Sequence, residues 1–464
     1  MTEGNRVARS RPNIVVLMAD DHRGTALRHL GDAQVSTPVL DALAARGVSF
    51  SGAHCQGSMH GAVCVPSRAS LMTGRSIFAS SCDPTGHDSR MAMTIPPALE
   101  TFPQAMRAGG YRTHAVGKWH NDPVSFNRSF ASGEALMFGG MSDHHRVPLR
   151  SYDETGAYPD ANVVEGDGFS TDIFTDAAIR FLDAAVDADD PFLLYVAFTA
   201  PHDPRTPPDG WRPDPAGIEL PPNSLPAHPF DNGEMSVRDE LLAAMPRDPQ
   251  EVREHLADYY GMIAHLDMSI GRILDALRAT GLDQETVVLY TADHGLAVGQ
   301  HGLMGKQNLY EHSIRVPLIL AGPGVPAAGV VDGLRWHADT TATLRALAGL
   351  DPDPAGEGTP LFDSAGTVSS GRPHLGAAYD YGQRMYRDDR YKLIRYWRIP
   401  ESVGRPGTTS GTDTMQLFDL RDDPWEMTNR ADDPSLQSIR RDLEAGLRAW
   451  QEAINDPLLT VQGR

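Results

Sequence analysis

The sequence Ile14-Val15-Val16-Leu17-Met18-Ala19-Asp20-Asp21 joins an uninterrupted apolar run to two carboxylates. Continuous apolar residues, β-branched at the start, predict a strand that is buried on both faces. Such a strand belongs inside a largely parallel sheet that helices cover on both sides. The two carboxylates would then lie at the carboxyl end of the strand, where open α/β sheets bind their ligands.

The same pattern of buried strand, loop and amphipathic helix recurs along the chain. Further strands are predicted at Tyr111–Val116, Phe192–Phe198, Thr286–Thr291 and Val316–Leu320, and long helices at Thr171–Asp187 and about 251–280. This alternation predicts an α/β fold with a large, mixed, mostly parallel sheet flanked by helices. The proline-rich residues 203–249 interrupt the pattern, and we expect them to form a surface excursion over the ligand-binding edge.

The composition changes after about Leu350. Residues 351–371 are rich in Gly, Pro, Asp and Ser, which is typical of a linker. Short strand-like runs and a closing helix follow, at His374–Tyr379, Lys392–Trp397, Gln416–Leu420 and Ser435–Ile454. They predict a smaller α+β subdomain with an antiparallel sheet. We therefore predict two domains, 1–350 and 351–464.

Charge and hydropathy restrict the function. A formal net charge of −20 argues against nucleic acid, which requires a basic surface. It does not exclude a small anionic substrate, because a local cluster of cations can hold one. No apolar run is long enough for a membrane span or a signal peptide. The three cysteines, Cys55, Cys64 and Cys82, give no disulfide framework. We expect a cytoplasmic protein without membrane attachment.

Polar groups of catalytic type follow four of the predicted strands. They are Asp20-Asp21, Gly117-Lys118-Trp119-His120, Pro201-His202-Asp203 and Asp293-His294-Gly295. Each motif alone is more simply explained as a turn former, a helix cap or a structural histidine. Because all four would meet at one edge of the sheet, together they predict a functional site.

Three carboxylates at this edge indicate a metal. Asp20, Asp21 and Asp293 would repel one another or bind protons unless a divalent cation lay between them. Oxygen ligands favour Ca²⁺ or Mg²⁺. The nitrogen of His294 leaves Mn²⁺ or another transition metal open.

The segment Cys64-Val65-Pro66-Ser67-Arg68-Ala69-Ser70-Leu71-Met72-Thr73-Gly74-Arg75 resembles a known signature. It is similar to that of the type I, formylglycine-dependent sulfatases of the alkaline phosphatase superfamily, Cys-x-Pro-x-Arg followed by Leu-x-Thr-Gly-Arg. The resemblance spans most of the chain, through the four strand-end motifs, Gly305-Lys306, Arg315–Ile319 and Leu417–Glu426. It implies an alkaline-phosphatase-like fold and hydrolysis of a sulfate monoester, of a carbohydrate or another small organic alcohol.

The resemblance also implies a modified nucleophile. A formylglycine-generating enzyme would oxidise Cys64 to formylglycine, whose hydrate is the working nucleophile in these enzymes. One hydroxyl would attack sulfur and release the alcohol, and the second would lose its proton and expel sulfate. A hard oxygen suits a hard cation better than a soft thiolate does.

The remaining roles follow from the same resemblance. Asp20, Asp21, Asp293 and His294 would bind the metal together with the modified Cys64, and Arg68 would lie against them. Lys118 and Lys306 would hold the sulfate oxygens. His120 would orient or deprotonate the gem-diol, and His202 would contact the sulfate or protonate the leaving oxygen.

Several questions stay open at this point. Many sulfatases carry Asp-Asn where this chain has Asp293-His294, and the Asp-His pair also occurs in phosphonate monoester hydrolases. A phosphonate or phosphate mono- or diesterase is therefore an alternative, and a non-catalytic binding relative is another.

Some polar loop residues lie near these motifs in the sequence, namely His60, Arg205, His301 and Gln307-Asn308. They either contact the leaving group or are ordinary polar loop residues. A homo-oligomer is possible.

Overall fold

The computed structural model describes residues 11–81, 93–399 and 408–462; Cys82 lies outside these ranges. The strands are β1 (Asn13–Ala19), β2 (Val48–Phe50), β3 (Ala53–His54), β4 (Gly57–Ser58), β5 (Arg112–Lys118), β6 (Ser132–Met137), β7 (Pro148–Leu149), β8 (Val164–Glu165), β9 (Phe192–Ala197), β10 (Thr286–Ala292), β11 (Leu318–Ala321), β12 (Gly329–Val331), β13 (Arg335–Trp336), β14 (Leu375–Tyr379), β15 (Gln383–Arg387), β16 (Tyr391–Tyr396) and β17 (Thr414–Asp419).

The α-helices are α1 (Pro38–Arg46), α2 (Cys64–Thr73), α3 (Ile77–Ser80), α4 (Phe102–Ala108), α5 (Pro123–Ser129), α6 (Ser170–Ala185), α7 (Pro249–Ala279), α8 (Glu311–Ile314), α9 (His337–Leu347), α10 (Gln437–Ala453) and α11 (Leu458–Gln462). Short 3-10 helices lie at Arg28–Leu30, Asp160–Asn162, Pro215–Gly217, Glu240–Leu242, Asp283–Glu285 and Pro434–Leu436. No helix within the described ranges is both long enough and apolar enough to cross a bilayer.

The main sheet has eight strands in the order β12-β2-β11-β10-β1-β9-β5-β6. Strand β1 lies inside it, parallel to both β9 and β10, and every residue of these three strands is buried. Only β11 runs antiparallel to its neighbours, β10 and β2. Helices α1, α6 and α7 pack as one group and α2, α4 and α9 as another. The predicted α/β fold with a mixed, mostly parallel sheet is therefore confirmed.

The second sheet has the order β17-β16-β15-β14-β4. Strands β14 to β17 are antiparallel, and α10 packs on β15 and β16, so the predicted antiparallel sheet and closing helix are confirmed. Strand β4 comes from the segment that leads into Cys64 and pairs in parallel with β14. The small sheet is thus hydrogen-bonded to the N-terminal region, and a domain boundary near residue 350 stays a prediction.

Two strands differ from the sequence prediction for clear reasons. Strand β11 begins at Leu318 rather than Val316, because the Val316 N–H bonds to Ala53 outside the main sheet and Pro317 has no N–H. Strand β15 has the polar sequence Gln-Arg-Met-Tyr-Arg, which gives little strand signal. Its fully buried Arg384 is satisfied by the carboxylate of Asp456, with Nε 2.6 Å from Oδ2.

Candidate active site

The carboxyl ends of four adjacent strands bring the predicted side chains together. Strands β10, β1, β9 and β5 are neighbours in the sheet, so their ends meet at one edge. In that order, they carry Asp293 and His294, then Asp20 and Asp21, then His202, and finally Lys118 and His120. The side chains predicted from separate parts of the sequence therefore form one cluster.

Cys64 lies at the centre of this cluster as the first residue of α2. Its sulfur lies 3.4 Å from Oδ1 of Asp20 and 3.2 Å from Nε2 of His294. The ammonium groups of Lys306 and Lys118 lie 3.7 Å and 3.9 Å from the same atom. The amino end of a helix also favours negative charge. A nucleophile at this position thus faces metal-ligand groups on one side and cations on the other.

The surroundings of Cys64 favour an anion. Burial would raise the pKa of its thiol, but Lys118, Lys306 and His294 together lower that pKa well below the ordinary value. Cys55 provides a contrast, because burial raises the pKa of its thiol to about 12. Cys55 is therefore an inert buried thiol, whereas Cys64 is electrostatically activated.

The carboxylates need a cation. Burial and the charge of Asp293 raise the pKa of Asp20 to about 8, so ionisation of the isolated cluster is costly. The Oδ2 atom of Asp21 is fully buried and has no hydrogen-bond partner among the residues that the structure describes. Ligand atoms of Asp20, Cys64, Asp293 and His294 lie within 4.8 Å of one another. An orphaned carboxylate oxygen in a compact set of oxygen and nitrogen donors fits a divalent cation.

Three cationic side chains hold the carboxylates in place. Arg68, fully buried, donates from Nε to Oδ2 of Asp293 at 2.9 Å and from Nη1 to the carbonyl of Lys118 at 2.8 Å. Lys306 donates to Oδ1 of Asp21 at 2.8 Å. Lys118 in turn donates to Asp20 and to the carbonyl of Gly140. These pairs fix the ligand oxygens and leave both ammonium groups beside Cys64.

Two of the three histidines in the cluster, His120 and His202, differ in protonation. Burial and Lys118 lower the pKa of His120 to about 4, and its ring hydrogen-bonds with Cys64. Burial would lower the pKa of His202 as well, but the charge of Asp21 raises it to about 9. His202 also donates from Nδ1 to the carbonyl of Asp203 at 2.7 Å. One ring is thus a neutral base and the other a protonated acid.

The backbone is strained just after the strands that carry these side chains. Asp21 and His120 have φ angles of 69° and 57°, in the left-handed region that non-glycine residues seldom occupy. Gly117 has φ 88°, and a Cβ there would lie 2.1 Å from the carbonyl oxygen of Ala197. The register between β5 and β6 also shifts after Val116. This irregularity re-aims the end of β5 toward the cluster.

A cavity of about 330 Å³ opens beside Cys64. Its outer side is lined by Glu234, Arg238, Asp239, Gln307 and Tyr379. All but Gln307 were missed from the sequence, because residues 203–249 have no periodicity and Tyr379 lies in the small sheet. The excursion predicted for residues 203–249 contributes Glu234, Arg238 and Asp239 to this side of the cavity.

Five loop residues near the motifs were considered from the sequence, and the structure describes all of them. Among these five, only Gln307 lines the cavity. Arg205 instead lies 3.3 Å from the ring of His255, and His301 stacks on Tyr310 with centroids 3.9 Å apart. Arg205 and His301 therefore lie outside the lining of this cavity.

The sequence of residues 12–350 matches the Sulfatase family model. The chain belongs to the sulfatase family. Residues 299–453 also match the C-terminal region of N-sulphoglucosamine sulphohydrolase. Membership makes the chain a sulfuric-ester hydrolase, as the Cys64–Arg75 signature indicated.

Two curated sulfatases resemble this one over most of their length. The N-acetylglucosamine-6-O-sulfatase of Bacteroides thetaiotaomicron is 26% identical, over 90% of this chain and 82% of its own. The choline-sulfatase of Rhizobium meliloti is 28% identical, over 91% of this chain and 83% of its own. The relatives thus include enzymes named for a sugar sulfate and for a quaternary ammonium sulfate.

The fold is shared more widely than the activity. The phosphonate monoester hydrolase of Agrobacterium radiobacter superimposes with a TM-score of 0.73 at 23% identity, over 97% of both chains. At that identity the likeness concerns the fold alone. The architecture therefore does not by itself separate sulfuryl from phosphoryl substrates.

Proposed function

We propose that this sulfatase hydrolyses the sulfate monoester of a carbohydrate or a similar small polar alcohol, through a formylglycine made from Cys64 and with a divalent metal. The observation that carries the proposal is the position of the Cys64 sulfur. It lies at the amino end of α2, between Asp20 and His294 on one side and Lys118 and Lys306 on the other. Nucleophile, metal ligands and oxyanion-binding cations thus converge on one point.

Asp20, Asp21, Asp293 and His294 would hold the metal. Oxygen donors favour Ca²⁺ or Mg²⁺, and the imidazole of His294 keeps Mn²⁺ as an alternative. When bound, the cation would supply positive charge that polarises the ester and lowers the pKa of the nucleophile. Arg68 would keep the carboxylate of Asp293 in place.

Residue 64 would be the nucleophile after maturation by a formylglycine-generating enzyme. Formylglycine supplies a hydrated aldehyde, whose one hydroxyl attacks sulfur and whose other releases sulfate by re-forming the aldehyde. His120 would accept the proton that this release requires, since its ring is neutral and hydrogen-bonds with residue 64.

The transition state would be stabilised by the two lysines. Their ammonium groups lie 3.7 Å and 3.9 Å from the Cys64 sulfur, so a sulfuryl group attached there would meet both. His202 would protonate the leaving alcohol oxygen, since the charge of Asp21 keeps the ring cationic. The alcohol half would occupy the cavity of about 330 Å³.

The lining of the cavity favours a polar alcohol. Glu234, Arg238, Asp239 and Gln307 present carboxylate, guanidinium and amide groups, which suit a polyhydroxylated substrate better than an aryl ring. The relative that acts on N-acetylglucosamine 6-sulfate supports this choice.

The test is a sulfate-release screen over sulfated monosaccharides and oligosaccharides, choline sulfate and aryl sulfates. Mass spectrometry of residue 64 in the same protein sample accompanies it. We expect formylglycine at position 64 and the highest kcat/KM on a sugar sulfate. Turnover by protein that carries only an unmodified thiol at position 64 would contradict the proposal that formylglycine is the nucleophile. A preference for aryl sulfates would contradict the proposal that the substrate is a sugar sulfate or a similar polar ester.

One observation favours a second candidate, a phosphonate or phosphate esterase. His294, which occupies the position of the usual Asn, lies 3.2 Å from the Cys64 sulfur, so it bears directly on the reacting atoms. Rates on matched aryl sulfate and aryl phosphonate esters, measured with wild type and His294→Asn, decide between the two. A larger kcat/KM on the phosphonate would favour this candidate.

A further inference from the structure

A second cavity, of about 490 Å³, shares no lining residue with the catalytic one. It lies where the segment around Arg315 meets the small sheet. Its lining includes His54, Glu311, Arg315, Arg387 and Arg421, and we call it the arginine cavity.

The buried charges at the back of the arginine cavity balance without Arg315. The carboxylate of Glu311 is paired with Arg387 at 2.8 Å and with Lys392 at 3.0 Å. Lys392 is also paired with Glu426 at 2.7 Å. Burial lowers the pKa of His54, so its ring adds no positive charge. Two carboxylates therefore face two cations.

Arg315 makes no ion pair within the described ranges, and the carboxylate that most offsets the effect of burial on its pKa, Glu311, is already paired with Arg387 and Lys392. The side chain of Arg315 also makes no hydrogen bond with any residue in the described ranges, and its Nε is buried without a partner. Burial lowers the pKa of Arg315, although this residue lines an open polar cavity. An unpaired, partly buried guanidinium is costly unless a ligand satisfies it.

The acidic residues at the rim do not neutralise Arg315. Asp332 and Asp389 are both exposed, so water screens their charge. The carboxylate of Asp332 also accepts a hydrogen bond from Ser51 at 2.5 Å. Arg421 lines the same cavity; it is exposed and has no ion pair within the described ranges. The guanidinium of Arg315 is therefore left for a ligand to satisfy.

We propose that the arginine cavity is a second binding site for a free tetrahedral oxyanion of the sulfate type, with the guanidinium of Arg315 as its main contact. A planar guanidinium donates two parallel hydrogen bonds to such an ion. Arg421 adds a second guanidinium at the rim of the cavity. Sulfate is also the ion that a sulfatase releases, so it is present wherever the enzyme works.

Selenate is a suitable probe, because it is a tetrahedral dianion and selenium gives an anomalous signal. Crystals of the full chain soaked in sodium selenate should show one selenium peak beside Arg315, separate from any peak beside Cys64. In Arg315→Gln the first peak should disappear, while the second is unchanged. Arg448→Gln, an exposed arginine paired with Glu452 on α10, is the matched control and should behave as wild type.

Arg421→Gln provides a test that does not depend on the folding of Arg315→Gln. Arg421 is exposed and unpaired, so the variant should fold, and selenate occupancy beside Arg315 should fall to less than half of wild type. Selenium found only beside Cys64, or a peak beside Arg315 that persists unchanged in Arg315→Gln, would overturn the proposal.

Discussion

The catalytic cavity has two walls that differ in how they are built. The inner wall is formed by Cys64 and Lys306, which line the cavity, and by the residues packed behind them, Asp20, Asp21, Lys118, Asp293 and His294. All of them lie at strand ends, on a helix or in the loop that follows β10 and are almost wholly buried. The outer wall consists of Glu234, Arg238, Asp239 and Tyr379, from an irregular excursion and the small sheet. The difference fits a division in which rigid elements hold the proposed chemistry, whereas the irregular excursion and the small sheet surround the space proposed for the alcohol.

The largest expected effect comes from the centre of the inner wall. Cys64→Ala removes the nucleophile, so kcat should fall by at least about 10⁴-fold on every substrate. The check is sulfate release by wild type and variant at equal metal content, with the fold verified by circular dichroism. Residual turnover within tenfold of wild type would mean that the inner wall does not supply the nucleophile.

Metal removal should have the next largest effect. Without a cation, burial together with the charge of Asp293 raises the pKa of Asp20 to about 8, so an ionised ligand set is costly. Chelation should lower kcat by about 10³-fold or more, because the cation supplies charge at the reacting ester.

Adding Ca²⁺ back should restore the activity, with the bound ion counted by elemental analysis. Full activity in protein shown to contain no divalent ion would contradict the metal site. Better recovery with Mn²⁺ than with Ca²⁺ would assign the metal preference to the nitrogen of His294.

Lys306→Gln tests one cation of the inner wall. Its ammonium lies 3.7 Å from the Cys64 sulfur and is paired with Asp21 at 2.8 Å. Loss of one oxyanion-stabilising donor should lower kcat by about 10²- to 10³-fold. Arg448→Gln, which removes an exposed cation far from the cavity, should leave kcat within twofold. A change in KM alone would instead place Lys306 in ground-state binding.

The contrast between the two walls also explains which site residues could be predicted from the sequence. Asp20, Lys118 and Asp293 were identified because each follows a buried strand, and parallel strands deliver their ends to one edge. Arg238 and Asp239 were not identified, since nothing in an aperiodic, proline-rich segment indicates where it folds back. Strand β15 was not predicted for another reason. Its buried Arg384 is paired with Asp456, which lies 72 residues further along the chain, and a local sequence pattern cannot show such a pairing.

Arg238→Gln should have the smallest effect of these variants, and it tests the distinction between the two walls most directly. The side chain is 47% exposed and bonds to Asp203 and Asp239, so it belongs to the outer wall by position. We expect kcat/KM on the preferred sugar sulfate to fall by about tenfold, chiefly through KM, because one polar contact to the alcohol is lost.

The rate on a small aryl sulfate, which scarcely reaches Arg238, should stay within about threefold, since the lost contact is worth little to it. Asp203, however, also lies 3.4 Å from Nδ1 of His202. If Arg238 acts through this carboxylate on the proton donor, kcat would fall equally for both substrates and its dependence on pH would shift. That result would move Arg238 to the inner wall as a positioning residue, and the excursion would then serve the chemistry as well as the choice of alcohol.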